Sequence, residues 1–71
     1  MVAITKDSLI AGVIAKYMTM RHVGVPALAM AAMMTERTFR RKHKEPEKFS
    51  VGELRKVYDR LNVPQEERVG L

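Results

Sequence analysis

The sequence predicts an all-α domain of five helices. Three observations carry that expectation. The apolar set makes up 46% of the chain and leans on Ala, Leu, Val and Met rather than aromatic residues, a balance that favours helices over strands. Apolar residues recur at helical spacing along most of the chain. The breaks between these stretches hold capping residues, glycine or proline. Residues 1–71 are read as a single domain, near the small end of what folds alone. With no cysteine, neither a disulfide nor a thiolate metal site can brace it.

The first helix is expected from Thr5 to Met20, with Asp7 and Ser8 supplying capping chemistry near its start. Leu9, Ile10, Val13, Ile14, Tyr17 and Met18 form one apolar stripe. Gly12 weakens the interior by about 1 kcal/mol relative to Ala and offers a place for another helix to approach closely. Gly24 and Pro26 break the pattern, and Pro26 suits the first turn of a second helix, where its missing N–H has no partner anyway. Ala27 to Met33 is apolar at every position, which predicts a helix largely surrounded by others. A Met-rich surface for a partner is the alternative use of the same stretch.

Thr35 is an N-cap for the third helix, and Glu36 behind it favours the positive end of the helix dipole. Glu36 also precedes Arg40 by four residues, a spacing that supports a helix. Lys44 closes this helix, and Glu45-Pro46-Glu47-Lys48 forms a polar loop with a helix-stopping proline. Ser50-Val51-Gly52-Glu53 has the form of a capping box, and Phe49 and Leu54 occupy the positions of a hydrophobic staple. The fourth helix follows from Val51 to Leu61. Its apolar stripe is Val51, Leu54, Val57, Tyr58 and Leu61, and Arg55, Lys56, Asp59 and Arg60 form its wet side. Asn62 suits a left-handed C-terminal position. Pro64 opens a short fifth helix through Gln65, Glu66 and Glu67, and Arg68 to Leu71 reads as a frayed tail.

The net charge is +5, and residues 35–50 hold most of it, with six bases against three acids. On a helical wheel with Phe39 at zero, His43 lies about 40° away, whereas Lys44, Arg37 and Arg41 lie at about 140°, 160° and 200° and Arg40 at about 100°. One face therefore carries the rings and the opposite face the cations. Such a helix docks on a small core by one side and presents the other to a polyanion. A solvated charged face that aids solubility is the plainer alternative.

Other chemistry finds little support. Glu45 and Glu47 flank Pro46 in a loop, Ser50 serves better as a cap than as a nucleophile, and the glycines are scattered rather than gathered in a phosphate loop. An enzyme is not expected. His22 and His43 are the only histidines, so no metal and no cofactor is expected, and His43 reads as a half-buried packing residue. No apolar run approaches the roughly 20 residues that span a bilayer, and Met1 to Asp7 lacks the features of a secretory signal. The expectation is a cytoplasmic protein without membrane or small-molecule partners.

Two helices joined by a short turn, the second basic on its outer face, describe a helix-turn-helix. The chain resembles the lambda-repressor-like (Cro/CI, XRE) family of DNA-binding domains, in particular its short phage-type members. The resemblance runs from about Thr5 to Arg68, with the helix-turn-helix at about residues 25–44. It is carried by Leu28-Ala29, Met33 at the turn, Thr35 as cap, Thr38-Phe39, the segment Phe49 to Leu54, and Leu61-Asn62-Val63. Many members have glycine where Met33 sits, because that position tends to be left-handed. Val25 stands where many have a phosphate-binding glutamine, and His43 where an apolar residue is usual.

The resemblance implies a sequence-specific, double-stranded-DNA-binding transcriptional regulator, of the kind found as phage or prophage repressors, with its third helix in the major groove. Glu36, Arg37 and Arg41 are then the base-reading residues, with Arg40 serving either base or phosphate, since an arginine fork matches the guanine acceptors. Thr35, Thr38, Lys42 and Lys44 become contacts to the DNA backbone, and Lys48 adds another beside the head of the fourth helix. It also implies a homodimer on DNA, its contact drawn from the last two helices or the tail, including Val63, Val69 and Leu71. Two other classes stay open: an antitoxin-like protein-interaction module using the second helix, and a sequence-neutral nucleic-acid binder.

Overall fold

The computed structural model describes residues 6–71. They form four α-helices: α1 (Lys6–Arg21), α2 (Val25–Ala31), α3 (Glu36–Lys44) and α4 (Val51–Leu61). Single 3-10 turns occur at Pro46–Lys48 and Gln65–Glu67, and no strand occurs among the described residues. The fifth helix foreseen after Pro64 is thus one 3-10 turn. Thr5, the expected start of the first helix, lies outside the described residues.

The caps appear where local chemistry places them. The Thr35 hydroxyl accepts the Thr38 N–H at 3.1 Å. Ser50 and Glu53 close a reciprocal capping box, with the Glu53 N–H on the Ser50 hydroxyl at 3.1 Å and the Ser50 N–H on the Glu53 carboxylate at 3.0 Å. The C-termini follow one rule. α1, α2 and α4 are each followed by a left-handed residue: His22 (φ 55°), Met33 (φ 57°) and Asn62 (φ 54°). Each end closes with the paired reverse bonds of a Schellman motif. After α2 these are the Met33 N–H to the Met30 carbonyl at 3.0 Å and the Met34 N–H to the Ala29 carbonyl at 2.9 Å. None of the three left-handed residues is glycine, so each carries the steric penalty of a Cβ there. The residue beyond each, Val23, Met34 or Val63, is apolar and packs in or against the core.

The core is drawn from every α-helix. Ile14, Leu28, Phe39, Val57, Tyr58 and Leu61 are fully enclosed. Phe49 and Leu54, the staple pair, are both buried. The predicted stripes are wider than this small core covers. Leu9 is 47% exposed and Val51 58% exposed, because each lies in the first turns of its helix, where few neighbours reach. Nothing lies within 4 Å of a Cβ built on Gly12, so no helix approaches there. α2 is not enclosed on all sides either. It packs on α3 and α4 and buries Leu28 and Ala29, with Ala32 buried at its C-cap, but Met30 and, just beyond the helix, Met33 are each 80% exposed.

The C-terminal residues do not fray. The Tyr58 hydroxyl is buried with its ring and donates to the Val69 carbonyl at 2.8 Å. Arg68 donates to the Val63 carbonyl at 2.9 Å and to Asp59 at 2.7 Å. Gly70 is left-handed (φ 89°), and a Cβ there would come within 3.1 Å of Ile10 and 3.2 Å of Leu54. Glu67 accepts from Lys16 at 3.0 Å and from the Tyr17 hydroxyl at 2.6 Å, tying the Gln65–Glu67 turn to α1. These bonds hold the Glu67 carboxyl below its usual range, the Tyr17 hydroxyl contributing most. Val63 is 2% exposed and unable to meet a partner, whereas Leu71 is 48% exposed.

Candidate nucleic-acid interface

α3 is pinned by its ring-bearing face. Phe39 is fully buried, with its ring centroid 5.8 Å from that of His43 and 6.0 Å from that of Phe49. His43 is half-buried, as its spacing from Phe39 suggested. Its Nε2 lies 3.1 Å from the Ala11 carbonyl oxygen. A carbonyl only accepts, so Nε2–H is the donor, and the bond ties the end of α3 to α1.

The opposite face holds Arg37, Arg41 and Lys44, with Arg40 at its edge and Glu36 at the head of the helix on the ring-bearing side, all exposed. Arg40 stands 3.8 Å from Glu36 in a solvent-exposed pair, a contact of small energy. Among the described residues, Arg37, Arg41, Lys44 and Lys48 form no ion pair with a carboxylate. None of these four charges is therefore neutralised within ion-pair distance. Thr35 is exposed and donates its hydroxyl proton to the half-buried Thr38 hydroxyl at 2.9 Å. A depression beside them brings Thr38, Arg41 and Lys42 together with Glu45 and Lys48. Lys48 of the 3-10 turn thus adjoins the α3 cations, and Glu45 places one carboxylate at their edge.

Lys42 differs from its neighbours. Its ammonium lies 2.7 Å from the Glu53 carboxylate and its side chain is 21% exposed. Lys42 and, after it, the Ser50 backbone N–H hold the Glu53 carboxyl below its usual range. Lys42 therefore clamps α3 to the capped start of α4. Sequence reasoning did not foresee that partner, nor that Arg21 donates to the Leu61 and Asn62 carbonyls at 3.3 and 3.4 Å and so covers the end of α4. Neither contact has a local signal, because the partners lie 11 and about 40 residues away in sequence.

No protein-family model, curated protein or solved structure matches this chain. Among the described residues, no group of three His, Cys, Asp or Glu side chains is placed to hold a metal ion, and no helix is long and apolar enough to cross a membrane.

Proposed function

We propose that this chain is a sequence-specific double-stranded-DNA-binding regulator of the Cro/CI kind, with α2, its short connection and α3 as the helix-turn-helix. One observation carries the proposal. α3 is held by a buried Phe39 and a bonded His43 while its outer face presents Arg37, Arg41 and Lys44 without carboxylate partners. A rigid helix with uncompensated arginines is suited to the major groove, where each can take the guanine O6 and N7 acceptors.

In this proposal Arg37 and Arg41 read bases, with Glu36 accepting from a base amine. Arg40 serves base or phosphate once it leaves Glu36. Thr35, Lys44 and Lys48 hold the DNA backbone, and Thr38 supports Thr35 at the head of the helix. Lys42, engaged with Glu53, contributes to phosphate binding mainly by fixing the angle of α3. The chain acts as a homodimer on two half-sites about one helical turn apart, and Leu71 is the exposed apolar residue of the tail available for that contact.

Selection of bound duplexes from a random pool tests this proposal, followed by titration of the selected duplex at several salt concentrations. Arg37→Ala or Arg41→Ala should weaken binding by about 1–3 kcal/mol and relax preference at particular bases. Lys44→Ala should weaken all sequences alike and flatten the salt slope. Specific binding that survives both arginine substitutions would remove α3 as the recognition element. Equal affinity for every duplex would leave a sequence-neutral binder. The 80% exposure of Met30 and Met33 favours a second reading, an antitoxin-like protein-interaction module. Tight binding to a protein partner at high salt, with no duplex selected, would support it.

A further inference from the structure

The exposed methionines belong to a surface that the DNA proposal does not use. Pro26, Ala27, Met30 and Ala31 of α2 form one wall of a shallow, mostly apolar groove, and Arg60 of α4 the other. Beyond its end, Met33 stands 80% exposed in a left-handed conformation, with the Lys56 ammonium 3.5 Å from its sulfur. Neither Met30 nor Met33 is enclosed by the fold, so their apolar surface faces water. An exposed apolar groove with a second exposed methionine near its helix, unlike a single exposed apolar residue, marks a contact surface.

Charge narrows what covers it. Among the described residues, Lys56 and Arg60 form no ion pair with a carboxylate, and no acidic residue lines the groove. The nearby Asp59 is held by Arg68 at 2.7 Å. The groove thus presents apolar side chains edged by Arg60, with the Lys56 ammonium against Met33 outside its lining and no carboxylate paired to either cation. We propose that it docks an acidic amphipathic helix of a partner protein, with the helix's apolar residues on Met30 and Met33 and its carboxylates on Lys56 and Arg60.

A helix fits better than a strand, because α2 is itself a helix and offers no sheet edge for a strand to extend. Methionine suits such a contact, since its flexible side chain adapts to different apolar partners. Nucleic acid fits poorly, since four of the five lining residues are apolar. A second copy of the chain also fits poorly. Its exposed carboxylates outside the α-helices, Glu45, Glu47 and Glu66, lie in or beside single 3-10 turns rather than on an amphipathic helix, and Glu67 is occupied by Lys16 and Tyr17. The inference is independent of DNA binding, because α3 contributes no residue to the groove.

A display library of randomised helical peptides, panned against the whole chain, tests the proposal. The Met30→Glu/Arg60→Glu double variant serves for counter-selection, its fold checked by circular dichroism. Enriched peptides should carry apolar residues at helical spacing flanked by Asp or Glu. Their affinity should fall about tenfold or more in Met30→Glu and in Lys56→Glu/Arg60→Glu, the size expected for a central contact and for paired charges. Methionine-methyl NMR signals of Met30 and Met33 should shift as peptide is added. Any of four results would overturn the proposal. The first is no enrichment over the double variant. The second is enrichment of basic or non-periodic peptides. The third is binding abolished by Arg37→Ala/Arg41→Ala but kept in Met30→Glu, which would place the peptide on α3 as a simple polyanion. The fourth is methyl shifts produced by dilution alone or by duplex DNA, which would assign the groove to self-association or to nucleic acid.

Discussion

Replacing Met33 with glycine should stabilise this protein, although it removes a large side chain. Met33 sits at φ 57°, where an L-residue carries a steric penalty of about 1–2 kcal/mol. Glycine relieves that penalty but frees the unfolded chain by about 0.4–1 kcal/mol. Little burial is lost, because Met33 is 80% exposed and the Lys56 ammonium that contacts its sulfur is also exposed. The difference is a net gain of about 0.5–1 kcal/mol, or about 3–6 °C in melting temperature for a domain of this size. Met33→Ala is the control. It loses the same exposed surface but keeps the Cβ, so it should stay within about 0.5 kcal/mol of the parent. Urea denaturation of the three proteins, with matched slopes, reads the effect. If Met33→Gly were no more stable than Met33→Ala, backbone strain at the α2 terminus would not be the controlling term. The same substitution should also weaken any partner bound at the α2–α4 groove.

Phe39→Ala should destabilise by about 3–5 kcal/mol, most of the stability of so small a domain, and loss of the cooperative urea transition would show it. Lys42→Ala should lower stability yet change the salt slope of DNA binding less than Lys44→Ala does, because its charge is already engaged by Glu53. Glu53 and Glu67 both have carboxyl pKa values below the ordinary 4.5. Their contribution is therefore fully present above that value and is lost as pH falls through the lower folded-state values; Glu53→Gln should flatten the acid limb of a stability–pH curve. Burial pushes the Tyr58 hydroxyl from 10.0 up to about 12. The resulting stability is intact below pH 10 and is lost as pH rises toward the higher value. Tyr58→Phe should remove that alkaline slope at a cost of about 0.5–1.5 kcal/mol for the bond to Val69.

What could be read directly from the chain was chemistry acting over three or four residues. Thr35 caps α3, Ser50 and Glu53 close their box, and Asn62 turns left-handed after α4, each because a side chain and a backbone group are near neighbours whatever the rest of the fold does. The ring-bearing and cationic faces of α3 separated for the same reason, since helical geometry alone puts Phe39 and Arg41 on opposite sides. The stripes were harder. Leu9 and Val51 have the right spacing, yet periodicity reports which face a residue shares and not whether anything covers it.

The sequence by itself determined the helical class, the caps of α3 and α4 and the polarity of α3. All three follow from steric and hydrogen-bonding preferences within one or two turns. Only the tertiary structure decided the rest. It engaged Lys42 with Glu53, bound the tail through Tyr58 and Gly70, buried Val63, and left one side of α2 open at Met30 and Met33. The physical reason is that burial and ion pairing depend on which distant segments arrive. A core drawn from four short helices has too few neighbours to enclose every apolar residue the chain provides.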